Sequence, residues 1–475
     1  METMLESAGS RAPVGDGPEV IEVRDPDDGS VVDTVPAASI ADVEAVLARA
    51  EAGARISRAL PVHRRIAVLS AVARIVDERR EAFATTIARE GIKTIREARA
   101  EAARAAETLR LSAEEARRVT GETIPFDQRE GSEGKVGYWI RQPIGVIVAI
   151  TPFNDPLNLV AHKVGPAIAA GNAVIVKPHS ATPLSALRLA DALEEAGLPP
   201  GILQVVTGRG ARIGDRLVSD PRVAMVSFTG GPEVGDRVVR FAGRKKLGLE
   251  LGANSPAIVL ADADLAAAAS AIAAGAFWAA GQNCLHVQRI IVERPVAPVF
   301  RELLVQATNA VATGPKLDES TDMGPVISDA AADRIMATLA EAVALGGRVV
   351  TGGTRAGRRI APTIVDGLPR TSRLAREEVF GPVAGIVEVD SLDEAIAVAN
   401  EVDQALHACV FTRALGAAMR VVREVEAGGV FVNESTDYRI DAMPFGGVKG
   451  SGLGREGVPF AIREMTTTKV VCLNL

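Results

Sequence analysis

Apolar positions fall into two successive sets of short continuous runs separated by longer stretches with helical spacing. In the first set, the runs at 146–150, 173–176, 203–207 and 225–228 are largely apolar, as strands buried on both faces require. Helical patterns at 157–170, 183–196 and 211–218 separate them. That alternation predicts a parallel sheet covered on both sides. A second set runs from 257 to 432, with strands at 257–260, 289–293, 348–351, 383–389, 408–412 and 429–432 and helices between them, one of them spanning 265–280. The expected fold class is therefore α/β with two parallel-sheet domains and a boundary near Glu250.

The flanks are patterned differently. Runs at 20–23 and 31–35 around the polar stretch 24–30 predict a hairpin. Residues 39–118 are rich in Ala, Arg and Glu at helical spacing with charges four apart, which predicts a solvent-facing helical layer. A strand at 135–141 follows the Gly-rich bend 131–134. The C-terminal run 467–475 reads as a strand without an evident local partner, so its expected partner is another subunit. Residues 1–17 lack the apolar core of a signal peptide and are expected to be a flexible tail.

Composition narrows the function classes. The 475 residues are 47% hydrophobic and 24% charged, enough for large cores, with a net charge of −7 and no basic block to bind nucleic acid. The charge-free run from Leu265 loses its apolar character at Gly281, short of the roughly 18 residues a membrane helix needs. Three widely spaced cysteines argue against a disulfide framework or a zinc site and fit a reducing cytoplasm.

In parallel sheets, ligands sit beyond the carboxyl ends of the strands. Asn154, just after the 146–150 strand, either caps the next helix or offers its amide to an oxyanion. Lys177, at the end of the 173–176 strand, is either solvated or a cation for ribose or phosphate oxygens. Phe228-Thr229-Gly230-Gly231-Pro232 is a strand, a Gly turn and a helix start, the kind of N-terminus that accepts phosphate. Glu250 lies in an apolar, Gly-rich stretch where burial would raise its pKa; it is a base or an ion-pair partner. Cys284, in Gly281-Gln282-Asn283-Cys284, is an inert buried thiol or a nucleophile.

Seven stretches in order resemble the aldehyde dehydrogenase superfamily: Pro152-Phe153-Asn154, Gly171 to Pro178, Phe228-Thr229-Gly230, Leu249-Glu250-Leu251-Gly252, Gly281-Gln282-Asn283-Cys284, Glu378-Val379-Phe380-Gly381-Pro382 and Pro444 to Lys449. The resemblance implies a Rossmann-like NAD(P)-binding domain at 18–119 and 142–249, a catalytic domain at 250–432, and a small oligomerisation element at 120–141 and 455–475. It implies that Cys284 attacks the aldehyde, that Asn154 and the Cys284 N–H stabilise the oxyanion, and that a thiohemiacetal becomes a thioester after hydride transfer. Glu250 would activate the hydrolytic water, with Lys163 and Glu456 as a proton relay behind it. Thr151, Pro152, Phe153, Lys177, Ser180, Phe228, Thr229, Gly230, Gly231, Leu251, Glu378 and Phe380 would line the cofactor site, with Lys177 and Glu378 on the two riboses.

Where many NAD-preferring relatives carry Glu, this chain has Ser180, so the cofactor is NAD or NADP. Gly231 replaces a common Ser, and Asp155 stands where an aromatic or other apolar residue is usual. The segments around His162 and Ser435 to Gly447 resemble lactaldehyde and phosphonoacetaldehyde dehydrogenases, implying a small polar or anionic aldehyde. Asn283 stands where some phosphonate-oxidising members have Arg; Arg110 is a candidate anion contact or a surface residue. The competing readings are a semialdehyde dehydrogenase of another substrate class, a coenzyme A-acylating relative, a Cys/Glu esterase without net redox, and a silent fold. A homodimer or homotetramer is expected, with no nucleic acid and no membrane partner.

Overall fold

The computed structural model describes residues 19–475, so the tail expected at 1–17 lies outside the described residues. A six-stranded sheet is built in the order Gly452–Leu453, Lys246–Glu250, Val223–Thr229, Val146–Ile150, Ala173–Lys177 and Leu203–Val205. All its pairings are parallel except that of Gly452–Leu453, which closes one edge antiparallel. Its strands bury both faces: Ile147, Ala149, Val174 and Val176 face one core, while Val146, Val148, Ile175 and Val226 face another. This is the two-residue period of a strand between two helical layers. The first core is closed by helices that include Val62–Glu78, Ile95–Glu115, Asn158–Ala170 and Leu184–Glu195, the second by Ile40–Ala59, Gly210–Ser219 and Pro232–Ala242.

The helical layer expected to face solvent is corrected in one part. The helix Ile95–Glu115 buries Ala98, Ala102, Ala105, Ala106, Leu109 and Ala113, and also Glu97 and Glu101. Small alanines at helical spacing allow close packing on a neighbouring helix, here Asn158–Ala170, and the abundant charges hide that face in the sequence.

A seven-stranded sheet follows in the order Arg348–Thr351, Thr363–Asp366, Val383–Val389, Val287–Glu293, Ser255–Val259, His407–Phe411 and Gly429–Val432. Only the Arg348–Thr351 edge is antiparallel. A third, antiparallel sheet holds Thr466–Asn474, Lys135–Pro143 and Glu122–Ile124. The C-terminal strand thus has a partner within its own chain, Lys135–Pro143, which corrects the expectation that it lacks one. A sequence separation of more than 300 residues conceals such a pairing from local pattern. Among the described residues no helix is long and apolar enough to cross a membrane.

Candidate active site

The carboxyl edge of the six-stranded sheet gathers Thr151 to Asn154, Lys177, Thr229 to Gly231 and Glu250, because parallel strands end on one side. Glu250 closes the strand Lys246–Glu250, whose Gly and Lys obscure it in the sequence. Cys284 arrives from the other sheet, half-buried against Ala253, Leu285, Leu406 and Phe445.

Cys284 does not end a helix. The helix Leu265–Phe277 stops early, and Ala279 (φ 52°) and Ala280 (φ 53°) form a left-handed turn. Two non-glycine residues in that region carry backbone strain that surrounding contacts must hold. Glu97 supplies one contact: its carboxylate accepts from the Ala279 N–H at 2.7 Å. The Ala-rich run favours helix intrinsically, so tertiary bonding overrides propensity here. Gly281 completes the turn at φ 65°, where a Cβ would stand 2.2 Å from the Gly381 carbonyl oxygen. Asn283 is turned into the loop, accepting from Leu285 N–H at 2.8 Å and donating to the Trp278 carbonyl at 3.4 Å.

Asn154, next in the chain to Asp155 whose charge bears on the thiol, is buried, and among the described residues its amide has no hydrogen-bond partner. Burial pushes the Cys284 thiol up; Arg439 pulls it down, and Glu378, Glu250 and Asp155 push it further up. Glu250 is raised well above the usual carboxylate range by burial and by the charge of Glu456, against Lys163, Arg439 and Arg455. Lys163 donates to Glu456 at 2.8 Å and to Ser227 at 2.9 Å. Burial would raise Glu456, but Lys163, Arg439 and His162 outweigh it and hold its carboxyl at about 2. A cavity lined by His162, Ser227, Glu250, Arg455 and Glu456 joins the two carboxylates.

The nucleotide side is polar and under-satisfied. The hydroxyls of Thr151 and Thr229 are buried without hydrogen-bond partners among the described residues. Lys177 donates to the Pro178 carbonyl at 2.9 Å, and burial lowers its pKa to about 8. Gly231 caps the helix Pro232–Ala242 without a side-chain bond, leaving its first N–H groups available. Ser180 donates to the Gly208 carbonyl at 3.1 Å. Phe153 meets Phe380 edge to face at 5.7 Å. Phe228 and Leu251 are buried in the core behind this edge, with Gly230 following Thr229 at the strand end. Glu378 accepts from the Ala253 N–H at 2.9 Å, and its approach requires Gly252 (φ 86°), where a Cβ would lie 2.4 Å from the carboxylate. These orphaned hydroxyls, the buried ammonium and the open helix start fit a nicotinamide dinucleotide.

The candidate anion contact Arg110 is instead paired with Asp77 and Glu107. Of two other arginines, Arg439 and Arg104, the first bears on the thiol electrostatically. Arg439 is 6% exposed, lies 3.6 Å from the Phe445 ring centroid and 3.5 Å from Glu456, and has an unpartnered Nε. Arg104 donates to Asp441 at 2.9 Å, and its Nε is also unpartnered. Asp441 in turn lies 2.8 Å from His162 Nε2. An Arg in a sequence does not announce burial, so only the Ser435 to Gly447 resemblance pointed to this segment.

A thiol, a partner-free amide, a carboxylate of raised pKa and a polar strand-end edge are the groups this part of the structure presents. The family model described as the aldehyde dehydrogenase family matches residues 14–471. The chain is 48% identical over 455 residues to aspartate-semialdehyde dehydrogenase 1 of Pseudomonas canavaninivorans, covering 96% of this chain and 97% of that protein. It is 46% identical over 413 residues to 3-sulfolactaldehyde dehydrogenase of Priestia aryabhattai, covering 87% of each. The NADP complex of NADP-dependent glyceraldehyde-3-phosphate dehydrogenase from Bacillus halodurans superposes with TM-score 0.95 at 37% identity, covering 98% of this chain and 97% of that one. The chain belongs to the aldehyde dehydrogenase family and is an NAD(P)-dependent aldehyde oxidoreductase.

Proposed function

We propose that the enzyme oxidises a small anionic aldehyde to its carboxylic acid through a thiohemiacetal and a thioester on Cys284. The observation that carries the charge of the substrate is Arg439, a buried guanidinium with a donor to spare, held on the Phe445 ring and bearing on Cys284. A desolvated cation with an open N–H binds a carboxylate, sulfonate or phosphonate far better than a neutral group. The names of the relatives agree in kind, since aspartate semialdehyde and sulfolactaldehyde each carry an anionic group, a carboxylate and a sulfonate.

Cys284 is the nucleophile and the Asn154 amide, with the Cys284 N–H, holds the oxyanion. NAD or NADP, when bound, supplies the hydride acceptor; Lys177, Glu378, Thr151 and Thr229 would hold it, and uncharged Ser180 rejects neither form. Glu250 then takes a proton from the water that cleaves the thioester, its raised pKa making it an effective base once ionised. Lys163 and Glu456 carry that proton away. The free cysteines suit a cytoplasmic setting. The outer edge of Thr466–Asn474, with Val470 and Leu473 exposed, suits a homodimer or homotetramer.

The test is nicotinamide absorbance with purified protein, each cofactor, and short aldehydes bearing a carboxylate, a sulfonate or no charge. Anionic aldehydes are expected to exceed neutral ones in kcat/KM, and Arg439→Met is expected to erase that margin. No reduced cofactor with any aldehyde overturns the proposal; a preference for neutral aldehydes overturns its substrate class. Cys284→Ala is expected to abolish turnover with cofactor binding intact. Glu250→Gln is expected to give a burst of reduced cofactor and then stall at the thioester.

A further inference from the structure

One helix entrance reaches both halves of the proposed site. Lys93 is 1% exposed; its ammonium bonds the Asp155 carboxylate, donates to Glu101 at 2.8 Å and lies 4.7 Å from the Trp278 ring centroid. Asp155 directly follows Asn154. Glu101 accepts from the N–H groups of Leu157 and Asn158, at 2.8 and 2.9 Å. The loop carrying Asn154 is thus fixed on its far side by Asp155, Leu157 and Asn158, all tied to Lys93 or Glu101. One turn along, Glu97 accepts from Thr94 N–H at 2.8 Å with one oxygen and from Ala279 N–H at 2.7 Å with the other. The strained turn before Cys284 is therefore braced by the same short segment. Trp278 links the two attachments: its ring meets Lys93 and its carbonyl accepts from Asn283.

We propose that Lys93 and Glu97 are positioning residues that set the distance between the oxyanion donor Asn154 and the nucleophile Cys284. This rests on the roles proposed above for those two residues. Neither Lys93 nor Glu97 touches the reacting atoms. Their carboxylate and ammonium bonds are charge-assisted and buried, the kind that hold geometry stiffly. Asp155 is the departure from the family pattern noted above, and Lys93 is its partner. The pair gives that departure a purpose: an ionic tether beside the oxyanion donor.

The experiment is rapid-mixing measurement of the first turnover in the wild type, Asp155→Asn, Glu97→Gln, Asn154→Ala and the double variant Asn154→Ala/Asp155→Asn. Asp155→Asn keeps the Lys93–Glu101 pair and the side-chain shape, so it is the variant least prone to misfold. Burst amplitude counts competent sites, whereas burst rate reports their geometry. Asp155→Asn and Glu97→Gln are each expected to slow the burst roughly tenfold, a fraction of what small misplacements can cost. Cofactor affinity, read by fluorescence quenching, is expected to stay within about twofold in both. The double variant is expected to be no slower than Asn154→Ala alone, because the tether acts only through Asn154. Burst rates equal to wild type, a loss confined to amplitude, or losses that multiply in the double variant overturn the inference. A wild type that forms no reduced cofactor with any aldehyde overturns the proposed function instead.

Discussion

Glu378 shows how a single side chain takes its chemistry from its surroundings. Burial pushes its carboxyl up to about 7, while the Ala253 N–H and Arg334 pull it back. A raised acid pKa means the anion predominates only above that value, so the ionised acceptor that Glu378 is proposed to offer a ribose hydroxyl is lost as pH falls through about 7. Cofactor affinity is therefore expected to weaken approaching tenfold per unit below pH 7 and to level off above it. Equilibrium titration of cofactor fluorescence between pH 6 and 7.5 checks this. Glu378→Gln is expected to flatten the profile, and a profile of the same slope in that variant rules Glu378 out as its source. Residue types at Cys284, Asn154, Glu250 and Lys177 were legible in the sequence because motifs carry them. Arg439, Lys93 and Glu97 were not, because a charged residue on a helical or loop pattern reads as solvated until its partners are known.

Elements were legible where local pattern decides them. The strands Val146–Ile150, Ala173–Lys177 and Val223–Thr229 are apolar on both faces, and their alternation with helices left little choice but a parallel sheet. Elements decided by distant contacts were not. Lys246–Glu250 has charge at its start and glycine in its middle, and becomes a strand because Val223–Thr229 pairs with it. The turn at Ala279 and Ala280 contradicts its own composition, since the Glu97 carboxylate, far away in sequence, holds it. The conflict between propensity and structure falls just before Cys284, the proposed nucleophile, where strain is expected to be functional rather than accidental.

At the scale of the whole molecule, Lys316 joins three regions that the sequence keeps apart. Its ammonium, 1% exposed, pairs with Asp25 of the N-terminal hairpin at 2.6 Å and donates to the Ala88 and Gly91 carbonyls, at 2.5 and 2.8 Å. Its carbonyl accepts from Ile95 N–H at 2.8 Å, at the start of the helix that carries Glu97 and Glu101. Beside it, Asp27 accepts from Lys316 N–H and from Arg359. Hairpin, helical layer and the chain of the second sheet are thus clamped at one buried ammonium. Replacing it with Met keeps the stem's volume but strands the Asp25 carboxylate and two carbonyls, a loss of about 3–5 kcal/mol for a broken buried pair. Urea denaturation of Lys316→Met is expected to show that loss as a lower midpoint. Adding Asp25→Asn is expected to restore part of it, because the stranded charge is then removed. If Lys316→Met unfolds at the wild-type midpoint, the clamp contributes nothing and the sheets are held by their apolar contacts alone.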